Sequence, residues 1–191
     1  SGHSYKVALA LALNGLDWEP VHIDFFKGGS RTPDYRENVN EMGEAPVLID
    51  GETKLTQSGV ILGYLSEKTG RFGGETPEER REVLRWILWD NHKLSSQAGV
   101  LRFLMNFLPP EKRPAEVIAW LDGRLAAALA ILDAHLTERE WIVGRDVDDD
   151  VRPCPEAVRH GESEVVLGDV DGEVGSEVAC QLEPVGIVVE A

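Results

Sequence analysis

The chain contains 191 residues, of which 42% are hydrophobic, and its formal net charge is −15. This length and apolar share are sufficient to bury the core of one large domain or of two small ones. The acidic balance argues against a nucleic-acid or anionic-lipid partner, because both usually require a basic patch. No apolar run approaches the roughly 18 residues of a membrane-spanning helix, so we expect no membrane partner either.

Cysteine usage and acidic clusters give no sign of a metal. Cys154 and Cys180 lie neither at CxxC spacing nor at metal-ligand spacing. This pattern fits a reducing cytosol, so we expect a cytoplasmic protein. Residues 146–150 place three aspartates at alternate positions, as a calcium loop does, but Val151 stands where that loop requires glycine. We therefore predict no metal site.

The first third of the chain alternates helix and strand. Residues 4–14 predict a helix that ends at Asn14-Gly15, since both residues tolerate a left-handed cap. Residues 18–24 alternate apolar and polar side chains, which predicts a strand, and residues 33–38 predict a short helix. Two further strands, 45–50 and 53–56, flank an Asp-Gly hairpin signature. A helix over residues 57–68 follows.

This order of a strand, a helix, a hairpin and a helix is the thioredoxin-like pattern without its first strand. That strand would precede Ser1 and would lie inside the sheet. From Thr76 onward the pattern changes to long helices, beginning with a capping-box sequence. One apolar face continues to Pro109, and a second helix spans residues 118–136. We interpret these as an antiparallel helical pair.

Three regions follow from these patterns. We predict an α/β thioredoxin-like N-terminal domain over residues 1–72, with its first strand missing, and an all-α helical domain over residues 76–144. Residues 145–191 form an atypical tail without aromatic residues or a 3.6-residue period, which indicates weak strands or disorder. Pro153 and Pro155 would break a helix there, so we expect the helical domain to be incomplete.

Three short segments resemble a known binding site when they are taken together. They are Ser-Gly-His-Ser-Tyr-Lys-Val at 1–7, Asn-Glu-Met-Gly-Glu-Ala-Pro-Val-Leu at 40–48, and Leu-Thr-Gln-Ser-Gly-Val-Ile at 55–61. Their order and spacing are similar to the glutathione site of serine-type glutathione S-transferases, particularly bacterial ones. The resemblance covers residues 1–144.

The first segment is a candidate for activating a thiol. Glutathione must become a thiolate to attack an electrophile, and a free thiol has a pKa of about 8.5. A helix N-terminus stabilises a nearby anion, and a serine hydroxyl can donate a hydrogen bond to the sulfur. Ser1 stands at the position of the family's catalytic serine, and His3 and Ser4 are alternatives. The alternatives are that Ser4 is only the helix cap and that Ser1 belongs to a disordered terminus.

The other two segments are candidates for binding the rest of glutathione. The resemblance implies a cis Ala45–Pro46 bond, which would turn the backbone of Ala45 toward the cysteinyl peptide. Gln57 and Ser58 would hold the γ-glutamyl carboxylate at a helix N-terminus. The alternatives are an ordinary trans proline at an edge strand and a helix cap without a ligand.

The resemblance implies a transferase that conjugates glutathione to a small hydrophobic electrophile. Glutathione would be a co-substrate, without a cofactor, in a homodimer that serves detoxification. We expect helix residues 101–107, including Leu101 and Met105, to supply the second-substrate pocket, with Tyr5 near its mouth. Two alternatives are a non-catalytic binding or chaperone-like module of the same fold, and an inactive transferase that is truncated or frameshifted.

Overall fold

The computed structural model describes residues 1–144 and 185–190. Within these ranges, no helix is long and apolar enough to cross a membrane. The main elements, in chain order, are α1 (Gly2–Leu13), β1 (Glu19–Asp24), α2 (Pro33–Asn38), β2 (Val47–Asp50), β3 (Thr53–Thr56), α3 (Ser58–Thr69), α4 (Pro77–Trp89), α5 (Ser96–Asn106), α6 (Ala115–Leu136) and β4 (Val185–Glu190).

The N-terminal core lies where α1 and α3 pack on the sheet. Two adjacent apolar strips run along α1, and the strip that contains Val7 and Leu11 is fully buried, against Leu48 of β2 and against α3. The other strip stays exposed, since Leu9 and Leu13 keep 43% and 40% of their surface. The helix periodicity is therefore visible in the sequence, but the packing partner decides which strip enters the core.

The hairpin between β2 and β3 has the predicted turn. The two strands pair antiparallel, with Leu48 opposite Leu55 and Asp50 opposite Thr53. Gly51 in the turn has a φ of 59°, a left-handed conformation that glycine adopts without steric cost. The hairpin prediction is confirmed.

The inner position of the sheet is occupied by β4. The strand order is β1-β4-β2-β3, and β4 runs antiparallel to β1 and parallel to β2. A strand that preceded Ser1 and was connected to β1 through the helix α1 would instead run parallel to β1, because a helical crossover joins parallel strands. The strand in the inner position therefore has the opposite direction from the one expected before Ser1.

The strand β4 belongs to the region predicted as an atypical tail. It is the only part of residues 145–191 that the structure describes, and the rest of that prediction lies outside the described residues. The proposed domain boundaries near residues 72 and 145 therefore stay predictions.

The long helix expected between Thr76 and Pro109 is divided. A π-helical turn, Asp90–Ser95, separates α4 from α5. Its side chains have partners beyond the helix, because Lys6 of α1 donates to the carboxylate of Asp90 and, at 2.6 Å, to the side-chain oxygen of Asn91. This connection joins α1 to the helical part of the chain. This long-range contact accompanies the local change from α-helical to π-helical hydrogen bonding. The hydrophobic periodicity of the sequence could not reveal it.

Close packing also joins α3 to α4. A Cβ atom at Gly59 would lie 2.9 Å from Cγ2 of Ile87 and 3.3 Å from the side-chain nitrogen of Asn91. Glycine at this position therefore allows the start of α3 to approach α4 closely.

We predict that Thr76→Ala lowers the free energy of unfolding by about 0.5–2 kcal/mol. Thr76 accepts a hydrogen bond from the backbone N–H of Glu79 at 3.1 Å, and the Glu79 carboxylate accepts from the Thr76 N–H, which completes the predicted capping box. Urea unfolding followed by circular dichroism measures the loss. Thr76→Ser keeps the hydroxyl and serves as the control; an equal loss in both variants would contradict the assignment.

Candidate functional site

A cavity of about 1240 Å³ lies between the start of α1, the loops around the sheet and the α4–α5 region. Every residue predicted to activate or bind glutathione lines it. These residues are Ser1, His3, Ser4, Ala45, Pro46, Gln57 and Ser58.

The N-terminus of α1 forms one part of the wall. Ser1 is the N-cap, and its hydroxyl oxygen accepts from the backbone N–H of Ser4 at 3.5 Å. Ser4 lies inside the helix, so it is not the cap. Its hydroxyl is buried and has no hydrogen-bond partner in the part of the chain that the structure describes. The helix N-terminus therefore presents two serine hydroxyls, each with a proton available to donate.

His3 connects this helix to the start of α3. Its Nδ1 atom lies 3.1 Å from the hydroxyl oxygen of Ser58, so the two side chains share a hydrogen bond. Burial lowers the pKa of His3, and Lys6 lowers it further, against smaller opposite effects of Asp90 and Glu44. These effects favour the neutral imidazole, which serves here as a hydrogen-bonding group.

The start of α3 is shaped for an anion. Ser58 is only 3% exposed and begins a helix of 12 residues, whose first N–H groups have no helical acceptors. Gln57 precedes it with a φ of 68°, an uncommon conformation for a residue other than glycine. Its side-chain nitrogen donates to the carboxylate of Glu44 at 3.1 Å. Backbone strain of this kind is often found at ligand sites.

Buried polar groups hold the loop before β2. The Ala45–Pro46 peptide bond is cis. The carbonyl oxygen of Glu44 accepts from the Tyr35 hydroxyl at 2.9 Å and from the Asn40 side chain at 2.8 Å. Sequence reasoning missed these two supporting residues.

Gly43 completes this loop. A Cβ atom at Gly43 would meet the Arg36 guanidinium and the Ser30 carbonyl at 3.0 Å, and its φ of 68° also favours glycine. The loop that carries Ala45 is therefore closely packed against α2.

The opposite wall is aromatic. Phe25 and Phe26 follow β1, and Phe103 and Phe107 lie at the end of α5. The Phe26 and Phe107 ring centroids are 5.2 Å apart, and the Phe103 and Phe107 centroids are 6.0 Å apart. All four side chains are at least 40% exposed. Phe103 and Phe107 lie within the segment 101–107 predicted for the second-substrate pocket, whereas the adjacent phenylalanines after β1 were a signal that sequence reasoning overlooked.

The three residues predicted for the second-substrate pocket do not line this cavity. Leu101 is 2% exposed and points into the protein, whereas Tyr5 is 58% exposed. Met105 is half-buried. Neighbouring residues of the same α5 segment, Phe103 and Phe107, face the cavity instead. Within residues 1–144 and 185–190, no group of His, Cys, Asp or Glu side chains could hold a metal ion.

Comparisons with known proteins identify the family. The family model for the glutathione S-transferase N-terminal domain matches residues 1–67. Glutathione S-transferase F10 of Arabidopsis thaliana is 32% identical over 149 residues, which cover 74% of this chain and 68% of that protein. The chain belongs to the glutathione S-transferase family. It is therefore a member of an enzyme family, and the prediction of family and fold class is confirmed.

Two further similarities are to a disulfide-bond oxidoreductase and to a transferase with glutathione bound. Disulfide-bond oxidoreductase YfcG of Escherichia coli is 32% identical over 151 residues, covering 75% of this chain and 69% of that protein. The crystal structure of a theta class glutathione S-transferase from Xanthomonas axonopodis pv. citri, with glutathione bound, superposes with a TM-score of 0.70 at 26% identity, covering 76% of this chain and 70% of that one. The chain spans about two thirds of the length of these relatives.

Proposed function

We propose that this chain binds glutathione in the cavity and conjugates its thiolate to a small hydrophobic electrophile. The observation that supports this most directly is the convergence of two helix N-termini, α1 and α3, on one cavity, joined by the hydrogen bond between His3 and Ser58. One N-terminus can stabilise the thiolate and the other a carboxylate. Glutathione, an anionic peptide with an ionisable thiol, supplies one such group for each of the two helix N-termini.

The residues at these two helix ends have separate roles in the proposal. Ser58 and Gln57 bind the γ-glutamyl carboxylate at α3. Ala45 pairs through its backbone with the cysteinyl peptide, beside Pro46. The N-terminus of α1 receives the sulfur. A hydrogen bond to a charged group contributes about 1.5–3 kcal/mol, which corresponds to a decrease of about one to two units in the thiol pKa.

Ser1 is our first choice for the hydroxyl that donates to the sulfur. Its oxygen already accepts from the Ser4 N–H, which leaves its own proton directed elsewhere. Ser4 is a strong rival, because its buried hydroxyl has no partner within the described residues. His3 is the third candidate, although its bond to Ser58 favours a positioning role.

We expect Ser1→Ala to raise the pKa of bound glutathione's thiol by about one to two units and to lower turnover, with little change in affinity. The ultraviolet absorbance of the thiolate, followed against pH with glutathione bound, measures this pKa directly. Ser4→Ala, one helical turn away, is the matched comparison. An unchanged titration in Ser1→Ala together with a shifted one in Ser4→Ala or His3→Ala would assign the role to that residue instead.

Turnover of a generic aryl halide with glutathione tests the proposed activity. A parallel assay with a small disulfide tests the activity named for the Escherichia coli relative. Retention on immobilised glutathione without turnover of either substrate would favour a non-catalytic binding module. Absence of both retention and turnover would favour the inactive-transferase alternative.

The proposal extends to the setting in which such a transferase works. It includes a homodimer, a cytoplasmic location and a role in detoxification, all implied by the family resemblance. Analytical ultracentrifugation of the purified chain measures the first of these.

A further inference from the structure

Arg102 adds a cation to the aromatic wall of the cavity. Arg102 lies on α5 next to Phe103, and its guanidinium carbon is 5.9 Å from the centroid of the Phe107 ring. Its side chain is exposed and lines the cavity. A guanidinium over an aromatic face is held by the ring quadrupole while its N–H donors remain available to another acceptor.

The Arg102 guanidinium has no carboxylate partner in the part of the chain that the structure describes. Among residues 1–144, no carboxylate lies within 4.0 Å of its guanidinium, whereas Arg81 and Arg85 on α4 each pair with a glutamate. Arg31 and Arg36 also line the cavity and, among the described residues, neither of them pairs with a carboxylate. What distinguishes Arg102 is therefore its position over the Phe107 ring. The planar fork of donors is suited to a carboxylate.

The rings beside it form a surface for a flat molecule. Phe25 and Phe26 meet edge to face with centroids 5.7 Å apart, and Phe26 also contacts Phe107 at the end of α5. Exposed aromatic surface of this kind is stabilised when another ring stacks on it. A neutral aliphatic electrophile would use the apolar surface and leave the cation unused.

We propose that the second substrate is an aromatic electrophile that carries a carboxylate, with its ring against Phe26 and Phe107 and its carboxylate paired with Arg102. This rests on the proposed function, which it makes more specific. With an aryl chloride as the electrophile, the glutathione thiolate attacks the ring carbon that bears chlorine. A carbon–sulfur bond forms, and chloride leaves with the electrons of the carbon–chlorine bond.

The test compares 4-chloro-3-nitrobenzoate with its neutral analogue, 4-chloro-3-nitrobenzamide, which has nearly the same shape. We expect Arg102→Gln to lower kcat/KM for the benzoate about two- to fivefold, as the loss of an exposed ion pair predicts, and to leave kcat/KM for the benzamide unchanged. Arg113→Gln, outside the cavity, is the control. Phe107→Leu should lower kcat/KM for both substrates. Equal effects of Arg102→Gln on benzoate and benzamide would overturn the proposal.

A binding measurement separates this inference from the transferase activity. Calorimetric titration with 3-nitrobenzoate and 3-nitrobenzamide, which have no leaving group, requires no turnover. We expect benzoate affinity to decrease in Arg102→Gln and with added salt, and benzamide affinity to respond to neither. If Arg102→Gln weakens glutathione binding instead and spares the benzoate, Arg102 belongs to the glutathione site and the inference is wrong. An enzyme that binds benzoate through Arg102 but turns over no aryl halide would contradict the proposed function only.

Discussion

Ser58→Ala is expected to weaken glutathione binding tenfold or more. Ser58 is the first residue of α3, is 3% exposed and lines the cavity. Removal of its hydroxyl takes away the proposed hydrogen bond to the γ-glutamyl carboxylate. Such a bond contributes about 1.5–3 kcal/mol, and a loss of about 1.4 kcal/mol is a tenfold change in affinity. The substitution also removes the partner of His3, 3.1 Å away. Calorimetric titration with glutathione measures the effect.

Two controls distinguish a lost contact from a damaged fold. Ser66→Ala changes a serine two turns later on α3 that does not line the cavity, and it should bind glutathione as the unmodified chain does. Urea unfolding of Ser58→Ala should show that the variant is folded under the conditions of the titration. Unchanged affinity in both Ser58→Ala and Gln57→Ala would remove the carboxylate subsite from the proposal.

Leu11→Ala is expected to lower the free energy of unfolding by about 2–5 kcal/mol. Leu11 is fully buried in the cluster that also contains Leu48, Ile61 and Leu65. The truncation would remove buried methyl groups and leave a cavity between α1, α3 and the sheet. Since domains of this size are stable by only about 5–15 kcal/mol, the variant should unfold at a much lower urea concentration. Intrinsic tryptophan fluorescence is a suitable probe, because Trp18 packs against the same cluster.

Leu13→Ala is the matched control, two residues further along α1. Leu13 keeps 40% of its surface exposed, so its truncation should cost much less than that of Leu11. Similar losses in the two variants would mean that α1 does not pack on the sheet through the face that contains Val7 and Leu11.

Local features of the fold could be predicted because neighbouring residues determine them. The capping box at Thr76, the hairpin turn at Gly51 and the left-handed conformation of Gly15 after α1 all occur where the sequence indicates them. Each depends on the steric freedom of one residue or on hydrogen bonds over one helical turn. The glutathione-site candidates were predicted in the same way, from short segments that resemble a family.

Other features depend on residues that are distant in sequence, and only the tertiary structure decided them. The position of β4 between β1 and β2 results from pairing over more than a hundred residues, and alternation within the strand does not specify its partner or direction. The π-helical turn that divides the long helix lies where Lys6 contacts Asp90 and Asn91, which are more than eighty residues away in sequence.

The same distinction applies within the site. Short motifs identified the residues at the starts of α1 and α3, but the hydrogen bond between His3 and Ser58 joins residues 55 positions apart. The aromatic wall likewise brings Phe26 from a loop against Phe107 from a helix. The sequence by itself determined which residues begin each helix and which segments could contact glutathione, because those properties are local. Which side chains face the cavity, and hence the cation that Arg102 supplies there, depended on packing between distant elements.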